Sequence, residues 1–196
     1  MLSWLNALDR SIFLFINGLH NSFLDSFMWN CSGTILWLPL YAFILYLMIT
    51  KLRWESWMLI LALSLLIFLS DFISSGIIKH AVMRLRPSHE PLLEGLVHLH
   101  RQGNGAFYLG GLYGFVSSHA ANTFAIATFS SLLLQKRWFT TCLFLWAVLV
   151  SYSRIYLGVH YLGDVLGGAS VGIASGFFVH FIFEKRHRFH FKRNKV

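Results

Sequence analysis

Charge is scarce in this sequence. Only 12% of its 196 residues are Asp, Glu, Lys or Arg, against 56% that are hydrophobic, and mean hydropathy is +0.60. Ordinary soluble domains carry roughly twice that share of charge, so a water-soluble globule is excluded. Acidic residues are rarer still, eight against sixteen Lys and Arg, which gives a formal net charge of +8. Two cysteines, Cys31 and Cys142, leave no room for a disulfide framework and have no metal-ligand spacing. Repeats, low-complexity tracts and linkers are missing, so residues 1–196 read as one domain. A basic leader with a small-residue cleavage site is also missing, and no removable signal peptide is expected.

What is present is a set of long apolar runs. Four are clear, near 33–50, 57–78, 118–135 and 162–183, and a fifth at 138–156 is apolar until its last residues. Each is close to the ~20 residues that cross a bilayer. The expected fold is therefore all-α, a polytopic membrane bundle of five transmembrane helices. Residues 1–30 are expected to add an N-terminal amphipathic helix lying in the interface, because Asp9, Arg10, Asn17, His20, Asn21 and Asp25 alternate with Phe and Leu. Six spans is the alternative.

The excess positive charge is not spread as nucleic-acid binding requires. Six Lys/Arg fall in the tail 184–196, and Lys51, Arg53, Lys136 and Arg137 occupy two short loops. This asymmetry predicts that the 51–56 loop, the 135–138 loop and the C-terminus are cytoplasmic. The 79–117 segment and the 157–161 turn then share the opposite face. Trp4, Trp29, Trp37, Trp54, Trp57 and Trp138 fall near span ends, as an aromatic belt does. Gly168, Gly172 and Gly176 recur every fourth residue, a spacing that lets helix backbones approach closely. The glycine- and aromatic-rich segment 88–116 reads either as a lid or as an excursion packed on helix ends.

Three polar clusters lie at the non-cytoplasmic ends of these runs, where charges are costly and mark function by default. In the first, Lys79 and Arg86 are seven residues apart, so a continuing helix presents both on one face until Pro87 ends it. The guanidinium grips phosphate oxygens bidentately and the ammonium serves as a point charge. Snorkelling at the membrane edge is the plainer reading of these cations. Asp71, inside the preceding run, is expected to face the bundle with a structural partner. The second cluster, Ser117-Ser118-His119, precedes a helix, where a serine caps and free N–H groups attract an anion. In the third, Arg154 ends one run, Gly158 permits a turn, and His160 stands four residues before Asp164. A carboxylate at that spacing fixes the imidazole tautomer and frees the other nitrogen to attack. A capping Asp beside a solvated His is the alternative. Together the clusters supply what holding a phosphate and breaking its ester demands.

These segments resemble the signature of the type 2 phosphatidic acid phosphatase (PAP2) superfamily. Lys79 through Arg86-Pro87 matches its first motif, and Ser153-Arg154, His160 and Asp164 match its third. The second motif, normally Pro-Ser-Gly-His, reads Val116-Ser117-Ser118-His119. The resemblance implies that His160 is the nucleophile forming a phosphohistidine, that Asp164 orients it, and that His119 protonates the leaving oxygen. It implies that Lys79, Arg86, Arg154, Ser117 and the Ser118 backbone hold the phosphoryl oxygens, with no cofactor and no metal. His160 neutral and His119 charged would give a bell-shaped pH profile.

The implied protein is a bacterial inner-membrane enzyme whose site faces away from the cytoplasm. Its partners are the bilayer and a lipid substrate, and nucleic acid is not among them. Undecaprenyl diphosphate is the preferred substrate, with lipid A phosphates, phosphatidylglycerophosphate and phosphatidic acid as alternatives. The rival readings are a phosphatase for soluble esters or a haloperoxidase, a non-catalytic lipid-phosphate binder or transporter, and metal hydrolysis through His89, His98 and His100.

Overall fold

The computed structural model describes residues 2–52 and 56–193, and the side chains of residues 4–52 and 56–186. Readings made for Arg53, Trp54 and the far end of the basic tail fall outside the described residues. Among the described residues there are helices, turns and irregular segments but no strand, the α-helices running in the order α1 (Leu2–Asn17), α2 (Ser22–Ser32), α3 (Leu38–Leu52), α4 (Ser56–Asp71), α5 (Lys79–Val82), α6 (Ser118–Leu134), α7 (Arg137–Tyr156) and α8 (Leu162–Arg193). Among the described residues four stretches have the length and apolarity to cross a bilayer: Ile35–Leu52, Ser56–Val82, Arg137–Tyr156 and Leu162–Arg186. The fifth expected span, α6, has 17 residues and runs through the middle of the bundle.

Helix α6 is central, and the small and apolar residues that make up most of it are buried on several faces. Ala120, Ala121, Ala125, Ala127 and Phe129 are all fully buried. Against it lies α8, whose Gly168, Gly172 and Gly176 sit on Ser117, Ala121 and Thr128 so closely that a Cβ on any of them would collide with α6. The glycine spacing is thus the seam of the bundle, as expected.

Two differences from the sequence reading concern the segments before residue 72. The single interfacial helix is two helices, broken at Gly18–Asn21 because Asn21 caps the second by accepting from the Leu24 N–H at 2.9 Å. Their polar residues are met by protein. Asn17, 1% exposed, donates to the His98 and Tyr156 carbonyls and accepts from the His98 N–H. Phe13 is fully buried and meets the Tyr161 ring edge-on. The second difference is Asp71, which is exposed instead of facing the bundle, its partner being the Ser75 hydroxyl one turn on.

After α4 the chain widens into a π-helical turn, Phe72–Ile78, in which the Lys79 N–H bonds the Ser74 carbonyl five residues back. Such turns shift the register of everything beyond them. The helix then stops at Val82, earlier than the sequence reading placed its end, because Met83 adopts a left-handed conformation (φ 50°). Arg84 to Arg86 run extended and pair with 112–114: the Gly114 N–H bonds the Arg84 carbonyl and the Arg86 N–H bonds the Leu112 carbonyl. Lys79 and Arg86 therefore do not share a helix face. They reach the same end of the bundle by a helix and a strand-like segment.

Candidate active site

The chain ends that carry the three clusters meet at one end of the bundle. Ser117 caps α6 through the Ala120 N–H, and its own N–H bonds the Asp164 carbonyl at the start of α8. The Lys79 ammonium donates to the Ser118 hydroxyl at 2.8 Å, and Ser118 shares a 2.6 Å hydrogen bond with Ser75. At the opposite end, the Lys51 ammonium reaches the Leu133 carbonyl in the last turn of α6. The clusters and the basic loops thus occupy opposite ends.

His160 sits in the turn between α7 and α8, 1% exposed. Gly158 makes that turn with φ +79°, and a Cβ there would strike Val97 and Leu99. The His160 Nδ1 lies 3.4 Å from Asp164 Oδ2, which also accepts from the Tyr161 N–H at 3.0 Å. Asp164 is fully buried. Burial, and after it the fields of Arg86, Arg154 and Lys79, holds the His160 imidazole well below its ordinary pKa of 6.5. The ring is neutral at physiological pH. His119 is the second residue of α6. Its ring opens into a cavity of about 580 Å³ lined by Trp29, Asn30, Ser32, Tyr108 and Arg154.

Arg86 and Arg154 are 8% and 2% exposed. Arg154 is braced by the Ser32 hydroxyl and by Tyr108, whose Oη accepts from Nη2 at 2.8 Å. Its Nε is buried without a partner, a donor whose satisfaction an oxyanion would supply. Arg86 donates from Nε to the Tyr113 carbonyl at 3.0 Å. The 88–116 segment is therefore packed on the site. Gly110, at φ +68°, lies so close over the Arg86 guanidinium that a Cβ there would displace it.

All eight sequence-predicted residues lie at this end. Sequence reasoning missed Asp9, Arg84, Ser32 and Tyr108. Only Arg84 carried a signal, a third cation within the first motif. The His89, His98 and His100 set does not assemble: His98 meets Asp25 and stacks on His20, His100 stacks on Trp29, and His89 meets Ser88. Among the described residues no three His, Cys, Asp or Glu side chains group as a metal site.

Buried cations, an imidazole with its carboxylate and a second imidazole on an open cavity make this end of the membrane bundle the candidate site for phosphoric ester hydrolysis. The sequence model of the PAP2 superfamily matches residues 56–188, and the chain belongs to that family. It is 38% identical to the lipid A 4'-phosphatase of Bacteroides thetaiotaomicron, over 94% of this chain and 81% of that one. It is 32% identical to the lipid A 4'-phosphatase of Porphyromonas gingivalis, over 93% and 75%. Its fold is similar to the crystal structure of a transmembrane PAP2-type phosphatidylglycerolphosphate phosphatase from Bacillus subtilis, with TM-score 0.70, 25% identity and coverage of 93% and 88%. The protein is a membrane PAP2 lipid phosphatase.

Proposed function

We propose that this phosphatase removes a phosphate monoester from the sugar headgroup of a membrane lipid, with lipid A as substrate, through a phosphohistidine on His160. The observation that carries the mechanism is the buried, neutral His160 with its Nδ1 toward Asp164 and three cations around it. Hydrogen bonding at Nδ1 leaves Nε2 as the nucleophilic nitrogen. Nε2 attacks phosphorus, the bond to the lipid oxygen breaks, and His119 gives its proton to that oxygen. Water then loses a proton to His119 and attacks the phosphohistidine. Cleavage of the P–N bond returns His160 and inorganic phosphate. Lys79, Arg86 and Arg154 balance the charge on the phosphoryl oxygens, with Ser117 and the Ser118 N–H at the α6 N-terminus. No metal enters these steps.

The leaving group must lie beside His119, hence in the 580 Å³ cavity. Arg154 is the only permanent cation among the described residues lining that cavity, and it is needed for the transferred phosphate. A diphosphate substrate would leave a second phosphate there with no cation of its own. A neutral sugar, resting against Trp29 and Tyr108 and the Ser32 end of α2, fits better. This consideration and the two lipid A 4'-phosphatase relatives favour lipid A over undecaprenyl diphosphate, which the sequence reading preferred. The basic loops at the opposite end support an inner-membrane enzyme whose site faces away from the cytoplasm.

Phosphate release by the purified protein in detergent tests the reading, with lipid A, undecaprenyl diphosphate, phosphatidylglycerophosphate and phosphatidic acid compared at equal concentration. The highest kcat/KM is expected on lipid A, with His160→Ala inactive on all four. Faster turnover of undecaprenyl diphosphate would overturn the substrate, and an active His160→Ala protein the mechanism.

A further inference from the structure

Arg84 does not point to the cation cluster. Its Nη1 donates to Asp164 Oδ1 at 3.0 Å and its Nη2 donates to Asp9 Oδ2 at 2.8 Å. The guanidinium carbon lies 4.1 Å above the Tyr161 ring, which stops the fork from swinging away. Asp9 is held in turn, since its Oδ1 accepts from the Gly163 N–H at 2.9 Å. A Cβ on Gly163 would come within 2.8 Å of Asp9 Oδ2, so α1 presses directly on the first turn of α8. Asp9 and Arg84 are largely shielded, their side chains 13% and 23% exposed. The result is a chain of contacts from Asp9 through Arg84 and Asp164 to His160.

The division of labour on Asp164 is clear from its two oxygens. Oδ1 goes to Arg84 and Oδ2 to His160 and the Tyr161 N–H. Arg84 alone would fix the carboxylate but also draw its charge away from the imidazole. A second carboxylate on the far side of the guanidinium offsets that pull. We propose that Asp9 and Arg84 are positioning residues for the hydrolysis, aiming Asp164 at His160 while leaving it its charge. The inference rests on the reading of His160 as nucleophile. It brings α1, which lies before the 56–188 stretch matched by the family, into the working parts of the enzyme. Supporting residues of this kind typically cost about 10- to 100-fold in function when removed.

The test compares Asp9→Asn, Arg84→Gln and the double variant, using kcat and KM on a lipid phosphate in detergent together with Tm. In Asp9→Asn the new amide oxygen can still accept from the Gly163 N–H, so the α1–α8 contact is kept. Each single change should lower kcat about tenfold or more with KM within about twofold, and the double variant should be no worse than the poorer single one. If Asp9→Asn does not fold, Arg84→Lys applies the same criterion, because an ammonium cannot fork between two carboxylates. A kcat within twofold of the parent, with or without a lower Tm, overturns the proposal, as do losses that multiply in the double variant. An active His160→Ala protein would instead sink the nucleophile assignment, so the two failures are distinguishable.

Discussion

Replacing Gly114 by alanine is a one-methyl change aimed at the centre of this site. The new Cβ would stand 2.8 Å from Asp164 Oδ2 and 3.3 Å from the Arg86 Cγ. Ordinary contacts of this kind are a few tenths of an ångström or more longer, so something must move. Asp164 has no slack, since it is fully buried and its oxygens are tied to Arg84, the Tyr161 N–H and His160. The Gly114 backbone is equally fixed, its N–H bonded to the Arg84 carbonyl at 2.8 Å. Overpacking of this sort costs about 1–3 kcal/mol of stability. Displacing the carboxylate that aims the nucleophile should cost more in rate, on the order of 100-fold for a shift near 1 Å. The assay is kcat/KM on lipid phosphate beside a melting curve in the same detergent. Gly103→Ala is the control from the same segment, because nothing lies within 4 Å of its Cβ position. Wild-type kcat/KM in Gly114→Ala, or equal loss in the control, would refute the packing argument.

Two further outcomes are expected. The native state keeps His160 neutral, its pKa far below 6.5, whereas the unfolded chain protonates it near that value. The unfolded state thus binds the extra proton, and this group should make stability fall as pH drops below about 6.5. Melting temperatures across pH 4.5–8 check this, and a larger acid loss in wild type than in His160→Ala is the signature. Ser118→Ala should lower kcat/KM about fivefold, since the Lys79 ammonium and the Ser75 hydroxyl both lose a partner worth about 1 kcal/mol. Unchanged kinetics would mean that Lys79 needs no tether.

The sequence by itself settled a good deal. Hydropathy and length marked the membrane helices, and the four-residue glycine spacing marked the α6–α8 seam, because both properties are local and repeat along the chain. Residue type, spacing and the resemblance to the family's motifs singled out Lys79, Arg86, Ser117, Ser118, His119, Arg154, His160 and Asp164 as candidates, since phosphate chemistry has few suitable side chains and an apolar chain rarely keeps them without cause. What local patterns left undecided was direction. Arg84 and Arg86 are two residues apart and nominally alike, yet one braces Asp164 and the other lies under Gly110. Their different aims follow from the left-handed turn at Met83 and the pairing of 84–86 with 112–114. Asp9 read as one polar residue of an amphipathic helix. Its contact with Gly163 spans 154 positions, and only the packing of α1 on α8 creates it. Periodicity tells which face of a helix is apolar, but the partner that face meets is chosen by the close fit of the whole bundle.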